Sequence, residues 1–150
     1  MSFLRPQKAE TVIPKTYHEK IETILGGQVE CPDAKIELVW QTVEEARRQL
    51  ERIPRMKDDL SQLKQEVNTR MKSIRESYNE KLGAVQLNPV VKLVSKKQAS
   101  QNKSRKREQL REKQEAALAP LQVTRKEIDR LLLQLDSYTK RIDAWIAARD

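Results

Sequence analysis

Apolar positions recur along most of this chain in steps of three and four, the spacing that lines them up on one side of an α-helix. Ile36, Val39, Val43, Ala46, Leu50 and Ile53 make the first run, patterned like the seam of a left-handed coiled coil. Beyond Pro54 the run resumes as Leu60, Leu63, Val67, Met71, Ile74, Tyr78 and Leu82. Its steps from Leu63 are 4, 4, 3, 4 and 4, nearer an eleven-residue repeat, which favours straighter helices or the opposite supercoil. The third run lies past Pro120: Leu121, Ile128, Leu131 or Leu132, Leu135, Tyr138, Ile142 and Trp145.

Helix stops and starts divide these runs. Gly83 can end a helix, because glycine takes the left-handed conformation freely. Asn88-Pro89 reads as a helix start, with Asn capping free N–H groups and Pro lacking one. Pro54 and Pro120 lie equally far from residue 87, so folding there brings the two prolines level, each predicted to kink or break its helix. Nearer the N-terminus, Thr16-Tyr17-His18-Glu19 has the form of a capping box and Gly26-Gly27 that of a stop. The short helix between them, with Tyr17, Ile21, Ile24 and Leu25 on one face, is too short to stand alone in water.

The predicted fold is therefore all-α: a long antiparallel helical hairpin or coiled coil, preceded by a short helix and an extended N-terminal arm. Residues 1–31 form the arm and the short amphipathic helix, and 32–83 the first long helix, starting at Pro32 or Asp33. Residues 84–89 make the turn. Residues 90–150 form the second helical region, opening on the apolar Val90, Val91, Leu93 and Val94 and containing a basic segment, 95–113. A helix of about 50 residues would be about 75 Å long.

Folding at residue 87 exposes a mismatch. Residues 33–53 come to lie opposite 121–141, and both carry seams. Leu63 through Tyr78 come to lie opposite residues 96–111, which are almost all polar. The stripe Leu63, Val67, Met71, Ile74 and Tyr78 thus lacks a partner in the second long helix and is expected to be covered by a second copy, another subunit or the N-terminal short helix. Ile142 and Trp145 are added to this expected interface, since large aromatics anchor partner surfaces.

Composition supports elongated helices over a globule: 35% of the 150 residues are charged and only 4% aromatic, with three glycines. Much of the net charge of +8 is concentrated in residues 84–119, where nine Lys/Arg face three Asp/Glu, an excess of six. Its centre is the basic segment, with Lys96, Lys97, Lys103, Arg105, Lys106, Arg107, Arg111 and Lys113. Between residues 95 and 109 the only apolar side chain is Ala99, so the stretch is either an exposed helix or a disordered loop. Such cations can contact phosphates by releasing condensed counterions. With no aromatic in the run, contact would be with the backbone and carry no sequence preference. The plain alternative is a solvated, solubilising helix face.

Catalytic chemistry finds little support. Cys31 is the one cysteine and His18 the one histidine, which excludes an internal disulfide, a CxxC motif and a His/Cys metal cluster. Glu44-Glu45 and Asp58-Asp59 are sequence neighbours on different helix faces, unsuited to a general acid–base couple. Trp40, Tyr78, Tyr138 and Trp145 lie on or beside seams and read as core or interface. No cofactor, metal or small-molecule substrate is expected.

MSFLRPQKAE has no apolar signal core, and the longest apolar run is Leu131-Leu132-Leu133, so neither a secretory signal nor a membrane span is expected. The compartment expected is the cytoplasm or another reducing one. The leading functional expectation is a non-enzymatic coiled-coil structural or adaptor protein that self-associates or docks on other subunits of an assembly. The alternative is a nucleic-acid-binding module acting through residues 96–113.

Overall fold

The computed structural model describes residues 12–86 and 96–149. Among them the secondary structure is entirely helical: α1 (Lys15–Leu25), α2 (Val43–Gln86) and α3 (Lys96–Ala147). The two long helices pack against each other, and α1 packs on α2.

Both long helices run unbroken through their internal prolines, Pro54 in α2 and Pro120 in α3. Gly83 does not stop α2, which continues to Gln86. Asn88-Pro89 and the patch Val90–Val94 lie outside the described residues, as do residues 1–11. The basic stretch from Lys96 onward is helical.

The start of α2 corrects the sequence expectation by some ten residues. Asp33 takes φ +75°, in the left-handed region that aspartate tolerates and a right-handed helix does not use. Residues 34–40 carry no helix. Within them burial alternates: Ala34 and Ile36 are buried while Lys35, Glu37 and Val39 are exposed. Val39, counted above as a seam residue, is 70% exposed. The period of two had been hidden inside one of three and four, because Ile36, Val39 and Val43 satisfy the helical spacing as well. The true helix start is a capping box just past this segment, at Thr42. Thr42 Oγ1 accepts from the Glu45 N–H at 3.1 Å, and Glu45 Oε2 accepts from the Gln41 N–H at 2.7 Å.

The capping box expected at Thr16 does not form, since α1 begins two residues earlier, with Pro14 in place of Thr16 at the N-cap and no side-chain cap. Its other end is as expected, with Gly26 closing the helix at φ +77°. Fully buried Ile21 anchors α1, and Lys20 reaches Glu66 of α2 at 2.9 Å. His18 Nε2 lies 2.9 Å from the Val29 carbonyl and 3.0 Å from Glu22 Oε1, tying the returning loop to the helix.

Three polar contacts set the register of α2 and α3. Lys57 meets Asp136 at 2.5 Å, Lys64 meets Asp129 at 2.6 Å, and Arg125 donates to Asn68 at 3.4 Å. Going up α2 by seven and then four residues matches going down α3 by seven and then four, so the helices are antiparallel. Each pair of residue numbers adds up to 193, which puts the centre of symmetry between residues 96 and 97 and not at 87.

Candidate functional site

That register decides where the expected interface residues lie. Leu63, Val67 and Met71 come level with α3 residues near Arg130, Lys126 and Gln122, among Leu121, Ile128 and Leu131. All six of these apolar side chains are at most 5% exposed. The stripe that was expected to lack a partner is therefore filled from within over this part of its length. Ile142 is also fully buried. Each such side chain is worth about 1.5–3 kcal/mol of burial, used here on the chain's own core. The expectation fails at these positions because it placed the centre of the pairing at residue 87.

Above Met71 the situation changes. The same register sets Ile74, Tyr78 and Leu82 level with Ala119, Glu115 and Arg111, and all three are only half-buried. Lys81 Nζ lies 4.8 Å from the centre of the Tyr78 ring. At the other end of the helix pair, Trp40 stands edge-on to both Tyr138 and Trp145, at 6.2 and 6.4 Å between ring centres. Arg141 covers Tyr138 at 5.0 Å and Arg149 covers Trp145 at 3.6 Å. These rings are half-buried.

The candidate phosphate-contacting residues lie on the first turns of α3. Arg105, Lys106, Arg111 and Lys113 are exposed, and Lys103 and Arg107 are half-buried. Lys96 and Lys97 belong to the first helical turn, and their side chains lie outside the described residues.

A polar row on α3 that pattern reading missed does the most specific work in the molecule. Residues 34–40 run alongside α3 in the same direction, and α3 supplies the hydrogen-bond partners that a neighbouring strand would supply in a sheet. Glu127 Oε2 accepts from the Ala34 N–H at 3.2 Å, and Gln134 Oε1 from the Ile36 N–H at 2.8 Å. Gln134 Nε2 donates to the Ala34 carbonyl at 3.1 Å, and Arg130 donates to the same oxygen. The Tyr138 hydroxyl donates to the Ile36 carbonyl at 2.8 Å and accepts from the Leu38 N–H at 3.4 Å. From Ala34 to Leu38 is four steps and from Glu127 to Tyr138 eleven, about 13 Å of extended backbone beside about 16 Å of helix, a match that helical backbone in the segment would not give. The signal was present in the sequence: Glu127, Arg130, Gln134 and Tyr138 recur in steps of three and four, beside the apolar row.

Glu127 is 2% exposed and is held by Arg130 one turn on. Cys31 sits by this pair. Burial, and then the Glu127 and Glu22 carboxylates, push its thiol up to about 11, against a smaller opposing effect of Arg130. A thiol held protonated is a poor nucleophile. Among the described residues no group of three or more His, Cys, Asp or Glu could hold a metal ion, and no helix is long and apolar enough to cross a membrane.

No protein-family model, no curated protein and no solved structure matches this chain.

Proposed function

We propose that the chain is a non-enzymatic coiled-coil hairpin that serves as a structural or adaptor subunit, docking on a second copy or on another subunit of a larger assembly. The observation that carries this reading is the stripe Ile74, Tyr78 and Leu82. On α2 the seam continues past Met71: Ile74 still packs against the edge of the core, level with Ala119, but Tyr78 and Leu82 come level with the polar Glu115 and Arg111, so the stripe stays half-buried. Trp145, capped by Arg149 at the opposite end, is a second contact point. The non-enzymatic part of the reading is supported by the protonated Cys31 thiol and by the engagement of His18 with Val29 and Glu22. A reducing compartment suits a chain whose one thiol has no partner.

The test is light scattering in line with size exclusion over a range of concentrations, on the natural chain and on Ile74→Glu with Tyr78→Glu. The expected result is a discrete oligomer that the double substitution converts to a folded monomer. A chain that stays monomeric throughout, with a thermal midpoint unaltered by the substitutions, would overturn self-association through this stripe.

A further inference from the structure

We propose that the first turns of α3 form a binding site for double-stranded nucleic acid, contacted through its phosphate backbone. The register makes the first argument. Carried along the helices, it sets Gln86, the last residue of α2, level with Arg107. The eleven residues Lys96–Lys106 of α3 therefore lie beyond the level of Gln86, the last described residue of α2, over about 16 Å. Stepping back from Leu121 by threes and fours, the row that faces α2 passes Leu118, Gln114 and Leu110. It then reaches Arg107 and Lys103. From the level of Gln86 upward, cations take the positions that leucines hold below.

The balance of charge along the helices points the same way. Lower down, Lys57, Lys64 and Arg130 are each paired with a carboxylate, and over the whole of α2 ten Lys/Arg are set against eight Asp/Glu. From residue 102 to 113 there are six cations and two carboxylates, Glu108 and Glu112. Among the described residues none of those six has a carboxylate within ion-pair distance. Lys103, Arg107 and Arg111 share one side of the helix, Arg105 points the opposite way, and Lys106 and Lys113, seven residues apart, share the flank between them. An α-helix about 10–12 Å across matches a major groove about 12 Å wide, and cations on opposite sides can then reach phosphates on both walls. No aromatic residue lies between Tyr78 and Tyr138, so the stacking platform that holds single strands is missing.

The site adjoins the docking stripe at Leu82, level with Arg111, but Ile74 and Tyr78 lie further down α2, and the experiment uses them to keep the two apart. Fluorescence anisotropy with a 20-base-pair duplex, the matching single strand and anionic lipid vesicles would be run at rising salt. The duplex is expected to bind more tightly than the single strand. If all six cations make contacts, its affinity should fall about a thousandfold between 50 and 200 mM salt. Lys103→Glu with Arg105→Glu, Lys106→Glu and Arg107→Glu should abolish binding while helicity by circular dichroism is kept. Should that variant unfold, the milder Arg105→Ala with Lys106→Ala, at two exposed positions, should still weaken binding and flatten the salt dependence. Ile74→Glu with Tyr78→Glu should bind the duplex as the natural chain does. Salt-independent or absent duplex binding would overturn the proposal, as would binding to vesicles alone or a charge-reversed variant that folds and binds normally.

Discussion

Lys64 of α2 and Asp129 of α3 meet at 2.6 Å, and the same juxtaposition recurs seven residues along, where Lys57 meets Asp136. Ion pairs at half-exposed positions add little stability, about 0–1 kcal/mol each. Their value lies in register. A slip by one turn would separate every pair at once and set like charges against one another.

The register is open to direct measurement. Spin labels at Asn68 and Arg125 should lie close together across the two helices. Labels at Asn68 and Lys106, level if the chain folded at residue 87, should be separated along the axis by about 28 Å, the length of nineteen helical residues. Double electron–electron resonance giving the short distance for the second pair would refute the register described above.

Burial sorts three consecutive leucines. Leu131 is fully buried, Leu132 is half-buried and Leu133 is 69% exposed. Leu131→Ala should cost about 2–5 kcal/mol in urea unfolding, through lost transfer energy and the cavity left behind. Leu133→Ala should change stability by no more than about 0.5 kcal/mol. Equal effects would mean that α3 is rotated about its axis.

The extended segment 34–40 depends on side chains of α3 for its backbone bonds. Tyr138→Phe removes the hydroxyl serving Ile36 and Leu38 and should cost about 1–2 kcal/mol. Glu127→Ala frees the Ala34 N–H and leaves Arg130 without its carboxylate, a larger loss of about 2–3 kcal/mol. Amide exchange at Ala34, Ile36 and Leu38 should quicken in both variants, ahead of exchange in the cores of α2 and α3. Unchanged protection at these amides would show that the segment is held by something else.

Cys31 gives a pH prediction. Its thiol is raised from an ordinary 9.0 to about 11, chiefly by burial. Below both values the folded chain should hold about a hundredth of the thiolate of a free cysteine, so alkylation by iodoacetamide at pH 8 should be about a hundredfold slower than in urea. The linkage follows in sign. Above pH 9.0 the unfolded chain loses this proton while the folded chain keeps it. Stability from this group is thus full below pH 9.0 and declines as pH rises through about 11. Equal alkylation rates in folded and unfolded chain would contradict the buried setting.

Local patterns determined much of this protein. The runs from Leu60 to Met71 and from Leu121 to Ile142 announced two long helices, because a helix repeats every 3.6 residues whatever it packs against. Ile21 and its neighbours announced a short helix in need of a partner, and the cations of residues 96–113 announced a charged helix face or loop. Tertiary structure decided the rest. Residues 34–40 fit both a helical and an extended period, and the choice went to extended backbone because Glu127, Arg130, Gln134 and Tyr138, about a hundred residues away, could satisfy it. Symmetry between two prolines could not set the register, because prolines are accommodated inside both helices and exert no attraction on each other. Long-range pairing of Lys57, Lys64 and Asn68 with Asp136, Asp129 and Arg125, and the interlocking of the apolar rows, set it instead. Which part of a seam is core and which part is surface depends on what stands opposite, and a period along one helix carries no information about that.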